Sequence, residues 1–166
     1  MTERVFQILK DAGIRDGNNV LNADVTTAYN GYCLTMNTSA ELTIPTDPGD
    51  RVVGLLYEHQ QLEELPTTEN VATNRAGQRV GRVSGNFEAL VSRLLFAGTT
   101  TPTAGDKIWS NGDGTMTNSQ PAATSGTPTA LGYCVGSAPL QNDSDIGYSY
   151  QTIARIVFHV DVGGIF

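Results

Sequence analysis

The stretch from Ala104 to Gly136, AGDKIWSNGDGTMTNSQPAATSGTPTALGYCVG, constrains this chain more than any other. Its apolar residues alternate in Lys107-Ile108-Trp109 and again through Leu131-Gly132-Tyr133-Cys134-Val135, a period of two that belongs to strands. Between the two lies a long tract of Gly, Asn, Asp, Ser, Thr and Pro. Within it Asn111-Gly112-Asp113-Gly114 supplies residues that accept the positive φ of tight turns, which β-branched residues resist. Two strands joined by an elaborate turn are expected.

Strands of the same kind are expected at 31–36, 41–44 and 51–57, with Pro45, Pro48 and Gly49 stopping extension between the second and third. The clearest strand is TIARIVFHVDV at 152–162. There Arg155, Val157, His159 and Asp161 alternate with Ala154, Ile156, Phe158 and Val160, giving one apolar and one charged face. The segment 86–97 offers a helical face in Phe87, Leu90, Val91, Leu94 and Leu95, but the turn signals on both sides favour a strand. Gly77, Gly81 and Gly85 mark bulges or close backbone approaches. The polar run HQQLEELPTTENVAT at 59–73 reads as an exposed loop with one helical turn at most. Two short echoes occur: Pro48-Gly49-Asp50-Arg51-Val52 against Ala104-Gly105-Asp106-Lys107-Ile108, and Gly31-Tyr32-Cys33 against Gly132-Tyr133-Cys134. They suggest similar strand and turn units used twice.

At the N-terminus, Thr2 can cap a short helix whose apolar positions Val5, Ile8, Leu9 and Ala12 follow one helical face and which Gly13 can close. Residues 14–28 then form a connector. The expected organisation is an N-terminal helix or arm with its connector at 1–28, followed by a β-rich barrel domain at 29–166. The fold class is mainly β: a compact β-barrel, β-tulip or sandwich of short antiparallel strands, without the helical periods that βαβ units require.

A chain of 166 residues suits one domain, or one domain with an arm. Charged residues make up 16% of it, against about 25% in soluble proteins, so Gly, Thr, Ser and Asn fill surface positions that charge would otherwise hold. Such a neutral polar exterior suits structural and adhesive β proteins. The net charge of −7 argues against direct binding to nucleic acid, which needs a basic face, and against anionic membranes. No run approaches a membrane span, and charges interrupt MTERVFQILKD where a signal peptide would be apolar, so folding in a cytosol is expected. Cys33 and Cys134 are too far apart for a CxxC pattern and read as buried thiols. The glycosylation triplets at Asn37 and Asn142 carry no weight without a secretory route.

No catalytic constellation is legible. Asp106, Asn111, Asp113 and Gly114 offer hard oxygen ligands, yet their spacing is not that of an EF-hand loop and lacks its closing glutamate, so a turn without metal is the reading. His59 and His159 sit in no zinc spacing, and no cofactor is expected. Gly81-Arg82-Val83-Ser84-Gly85 misses a nucleophile elbow by one place, and Glu63-Glu64 reads as a solvated pair. Arg75, Arg79 and Arg82 form the basic cluster of an acidic chain: ordinary surface charge, or a contact point for an acidic protein partner.

The order of features from about residue 77 to 162 resembles the capsid decoration, or cement, proteins of tailed bacteriophages. The resemblance rests on GRVSGNFEALVS, a Thr/Ala/Gly connector, AGDKIW, a turn with DGT, a Thr/Ser/Pro/Ala-rich tract, ALGYCVGSA and a last strand ARIVFHVDV. In that family such strands form a compact β-barrel or β-tulip. The resemblance implies a protein without catalysis that binds the major capsid protein on the outside of the expanded shell, commonly as a homotrimer at local three-fold positions. It implies synthesis in a bacterial cytoplasm and residence on the virion exterior. The N-terminal segment, with Val5, Phe6, Ile8 and Leu9, is the expected shell or subunit contact, together with Arg75, Arg79 and Arg82. The first half is longer than in small members of the family. The alternative is a β-rich adhesion or carbohydrate-binding module of a phage tail, with Trp109, Tyr148 and Tyr150 near Asn111, Asn142 and Asp145 as its aromatic and polar groups.

Overall fold

The computed structural model of the chain describes residues 6–58, 70–98, 101–139 and 152–160. Nine strands form one antiparallel sheet: β1 (Phe6–Asp16), β2 (Cys33–Met36), β3 (Leu42–Thr43), β4 (Gly54–Leu56), β5 (Arg82–Ser92), β6 (Lys107–Ser110), β7 (Met116–Thr117), β8 (Ala130–Pro139) and β9 (Thr152–Val160). Their spatial order is β3-β2-β4-β5-β9-β8-β6-β7, with β1 paired to β5 beside this path. The sheet curls into a half-barrel, so the mainly β, barrel-like class expected from the sequence is what forms. One short helix, α1 (Val71–Arg75), is the single α-helix among the described residues.

Alternation decides which face is buried. In β9, Ala154, Ile156, Phe158 and Val160 are buried while Arg155 and His159 are exposed. In β5, Val83, Gly85, Phe87, Ala89 and Val91 are buried on the same side, because the register sets Phe87 opposite Phe158, Ala89 opposite Ile156 and Val91 opposite Ala154. The Phe87 and Phe158 rings stack at 4.9 Å, and Phe6 meets Phe87, Phe158 and Tyr57 edge-on at 6.4, 6.3 and 6.2 Å. Each such ring pair adds about 0.5–1.5 kcal/mol beyond the area it buries. Segment 86–97 is therefore strand as far as Ser92, then a 3-10 turn at Arg93–Leu95.

The N-terminal helix does not form. Residues 6–16 are strand β1, paired antiparallel along nearly all of β5, with Phe6 in the core; Val5 lies outside the described residues. A lone helix of a dozen residues is marginal in water, whereas a strand laid along an eleven-residue partner satisfies its backbone and buries Phe6. The adjacent apolar pair Ile8-Leu9, which mimics a helical face, has another cause. The register shifts between Ile8 and Lys10, leaving Leu9 as the extra residue of a bulge. Before the bulge Phe6 and Ile8 pair with the inward Val91 and Ala89; after it the parity inverts, and Ile14 falls on the outer face opposite Ser84. Gly13 lies opposite Gly85, where an added Cβ on Gly13 would come within 2.9 Å of the Ser84 carbonyl.

The polar tract between β7 and β8 is pinned by a carboxylate that sequence pattern did not single out. Asp47 accepts the Thr124 N–H at 2.8 Å and its hydroxyl through one oxygen, and the Gly49 N–H at 2.7 Å and Ser125 through the other. Thr129 adds bonds to the carbonyls of Pro48 and Asp50 at 2.8 and 2.7 Å. The echoed turns are alike in detail. Asp50 accepts the Asp47 N–H at 3.1 Å and returns its own N–H to the Asp47 carbonyl at 3.0 Å, as Asp106 does with Thr103 at 2.9 and 3.0 Å. Asn111-Gly112-Asp113-Gly114 makes the expected tight turn between β6 and β7, with Gly112 at φ 83° and Gly114 at φ 94°.

Two outcomes follow from this packing. Phe158→Ala should lower stability by about 3–5 kcal/mol in urea unfolding, because it removes both ring contacts and leaves a cavity. The hydroxyl and amide of Thr124, with the Gly49 amide, hold the Asp47 carboxyl down at about 2. A depressed folded value means that its contribution is complete above the unfolded carboxyl's pKa near 4 and is lost as pH falls from there through about 2. Protection factors at Thr124 and Thr129, taken against the intrinsic exchange rate at each pH, should therefore fall across that window, and Asp47→Asn should show the low protection already at neutral pH.

Candidate functional site

The three arginines singled out in the sequence come together. Arg75, Arg79 and Arg82 line one cleft of about 410 Å³ with Arg15, Asp16, Gly17, Tyr57, Glu58, Val80 and Gly81. Four backbone segments converge there: the end of β1, the residues after β4, the end of α1 and the start of β5. Helix α1 is set by Asn70, whose side-chain oxygen accepts the N–H groups of Ala72 at 3.1 Å and Ala28 at 3.0 Å. The loop into β5 is stitched down by Leu21 to Gln78, Gly77 to Leu21 and Val80 to Asn19 backbone bonds of 2.7–3.1 Å. Gly81 gives the close approach expected of it, since a Cβ there would stand 2.3 Å from the Tyr57 carbonyl.

Within the cleft the guanidinium groups are not equivalent. Arg82 is held most firmly: it donates to the Val53 carbonyl, pairs with Asp16 at 3.4 Å, and keeps a buried Nε without a partner among the described residues. Arg75 pairs with Glu58 at 3.5 Å, and Glu58 also accepts the Gly81 N–H at 2.9 Å. Buried Asn30 fixes the Glu58 backbone through bonds of 2.8 and 3.0 Å. The Arg15 guanidinium lies over the Tyr57 ring, 4.9 Å from its centre. Arg79 is exposed and has no ion-pair partner among the described residues. Arg15 is the member that sequence spacing missed, because 60 or more residues separate it from the other three and only the β1–β5 register brings it alongside Val83.

A second surface lies on the outer face of the sheet. The exposed large hydrophobic residues are Leu9, Ile14, Tyr133 and Val135, at 43, 63, 44 and 39% exposure, among the described residues. Leu9 and Val135 are the extra residues of the bulges in β1 and β8, and Ile14 and Tyr133 sit at outward register positions. Tyr133 stacks on His159 at 6.1 Å, and His159 Nδ1 is 2.8 Å from Asn86 Oδ1. On β5, Glu88 is buried and meets the Arg155 guanidinium of β9. Strand β1 pairs with β5 alone, and its other edge has no strand partner among the described residues. Of the expected N-terminal contacts, Leu9 is exposed, Ile8 is half-buried and Phe6 is core.

The remaining expectations divide. Asp106 and Asp113 brace their own turns, through Thr103, Asn118 and Thr115, and do not converge on a common point. No group of three or more His, Cys, Asp or Glu side chains is placed to hold a metal ion among the described residues. Cys33 and Cys134 are free buried thiols, and burial pushes Cys33 up to about 12. Trp109 is half-buried, with the Lys107 ammonium 4.4 Å from its ring centre; Tyr148, Tyr150, Asn142 and Asp145 lie outside the described residues, as do His59, Glu63 and Glu64. No helix among the described residues is long and apolar enough to cross a membrane. No family model, curated protein or solved structure matches the chain.

Because Arg82 is tied to both a carbonyl and a carboxylate, Arg82→Ala should cost about 1 kcal/mol in urea unfolding by leaving two half-buried acceptors unmatched. Arg79→Ala should stay within about 0.5 kcal/mol of the parent in the same measurement.

Proposed function

We propose that this chain is a structural virion protein that binds the outer surface of a phage capsid, through the major capsid protein, and stabilises the expanded shell, acting as a homotrimer. One observation carries the reading: two of the four exposed large hydrophobic side chains, Leu9 and Ile14, lie on β1, whose second edge has no strand partner among the described residues, and the other two, Tyr133 and Val135, lie on the same sheet at β8. Exposed aliphatic groups on an edge strand, with further exposed apolar groups across the sheet, fit a partner protein better than a small-molecule substrate. The four described strands between β1 and β8 in space, counting both, span about 14 Å at the usual strand spacing, enough for a neighbouring subunit to cover. The resemblance in the second half of the sequence adds to this. Residues 77–162 supply β5, β9, β8, β6 and β7, which are contiguous in the sheet, while the longer first half supplies β3, β2 and β4 beyond β5, and β1.

Deleting the N-terminal residues would remove Phe6 from the core, so point substitutions are the better probe. Purified protein mixed with expanded capsids lacking it should co-sediment to saturation and raise the temperature at which shells rupture. Leu9→Asp and Ile14→Asp should each weaken binding about tenfold or more, as expected for about 1.5–3 kcal/mol per buried aliphatic side chain, with unfolding unchanged. Absence of binding to cognate shells would overturn the reading, and a specific glycan-array hit would favour an adhesion module instead.

A further inference from the structure

A glycine that follows asparagine or aspartate lets its backbone nitrogen reach the preceding side chain, because no Cβ stands in the way. Four such pairs occur in the chain: Asp16-Gly17, Asn30-Gly31, Asn111-Gly112 and Asp113-Gly114. The fold ties down three of the four leading side chains. Asp16 accepts the Asn18 N–H at 2.9 Å and pairs with Arg82 at 3.4 Å, and Asp113 accepts the Thr115 N–H at 3.0 Å together with its hydroxyl. Asn30 is 6% exposed and bonded at both ends of its carboxamide to the Glu58 backbone, at 2.8 and 3.0 Å, while the Gly31 N–H donates to the Leu56 carbonyl at 2.7 Å. Asn111 differs. Its carboxamide is half-exposed and makes no hydrogen bond among the described residues, and the Gly112 N–H has only the Ser110 hydroxyl, at a long 3.4 Å.

We propose that Asn111 is a site of spontaneous covalent modification, deamidating within the folded protein while Asn30 is held intact. The Gly112 nitrogen gives up its proton and bonds to Asn111 Cγ, the Cγ–Nδ2 bond breaks, and the nitrogen leaves as ammonia. Water then opens the cyclic imide at either carbonyl, leaving aspartate or isoaspartate at position 111; no electrons are gained or lost. The two aspartates are poorer candidates beyond their bonds, since an ionised carboxylate repels the attacking nitrogen. The site lies where a change in backbone is felt. The Asn111 N–H closes the turn on the Thr115 carbonyl at 3.0 Å, the Gly114 carbonyl accepts the Cys33 N–H at 2.8 Å, and a Cβ on Gly112 would stand 2.6 Å from the Pro48 nitrogen. Isoaspartate adds one backbone methylene inside this turn, so the pairing of Ser110 with Met116 and the seat on Pro48 loosen together. Both products also set a second carboxylate two residues from Asp113.

The test ages the full chain in mildly alkaline buffer at physiological temperature and follows each asparagine by peptide mass mapping, with isoaspartate identified by its separate elution. A gain of about 1 Da at position 111 is expected, at least tenfold faster than at Asn30 or at Asn118, whose amide is bonded to Asp106 at 3.0 Å. In urea-unfolded chain the Asn30 rate should rise towards that of Asn111, because only the fold protects it. Asn111→Gln keeps the carboxamide but moves it one carbon further away, and should abolish the gain at this position with the melting temperature unchanged. The purified isoaspartate form should melt several degrees below both the parent and Asn111→Asp, which carries the charge without the added methylene. Conversion at Asn111 no faster than at Asn30 in the folded chain, or an isoaspartate form that melts with the parent, would overturn the proposal. The reaction needs no partner, so its outcome stands apart from shell binding.

Discussion

The pairing of β5 with β9 along one edge and β1 along the other is the constraint from which the rest of the fold is built. Eight residues of β5, Gly85 to Ser92, are in register with β9, and the same strand meets β1 from Arg82 to Val91. Where β9 ends at Val160, β4 takes over on that edge at Val83 and Arg82. One strand thus joins the two halves of the chain: β2, β3 and β4 hang from its beginning, and β9, β8, β6 and β7 from its remainder. The aromatic cluster of Phe6, Phe87, Phe158 and Tyr57 takes one ring from each of β1, β5 and β9 and one from the residue after β4, so it forms only when all these pairings are made. Cooperativity of that kind makes a long β5 worth its many non-local contacts.

The same junction creates the cleft. Arginines in an acidic protein would disperse if surface charge were their only role, since dispersal lowers their mutual repulsion. Here the first residue of β5, the penultimate residue of β1 and the last residue of α1 are all arginine, and the geometry that closes the core also crowds their side chains. Asp16 and Glu58 offset part of that crowding and hold two of the four groups still. Arg79 has no ion-pair partner among the described residues.

Legibility in the sequence tracked how local each cause is. The alternation of β9 and the glycine turn at 111–114 could be read directly, because period and positive φ are properties of the residues themselves. The class of the fold followed from such segments. The residues of β1 mimic a helix because a bulge at Leu9 breaks the period of two, and a bulge is a relation between two strands that one strand's residues do not display. The Asp47 anchor escaped for the same reason: its partners Thr124 and Ser125 lie 77 and 78 residues away, in a tract with no pattern of its own. In the cleft, Arg75, Arg79 and Arg82 were visible as a cluster in sequence, whereas Arg15 and the role of Glu58 depend on the sheet register.

The edge of β1 that has no strand partner among the described residues bears on the proposed assembly. An eleven-residue edge left without a strand partner is a template for further pairing, and proteins that live as free monomers blunt such edges. Here the bulge at Leu9 interrupts the edge and adds twist, which limits open-ended strand addition. It does not hide the apolar groups, because Leu9 is turned out by that very bulge and Ile14 is 63% exposed by the parity change that follows it. An edge shaped against indefinite stacking but still rich in exposed aliphatic side chains is suited to one defined neighbour, and a neighbour held at fixed geometry, as in a closed shell, would cover it at little further entropic cost.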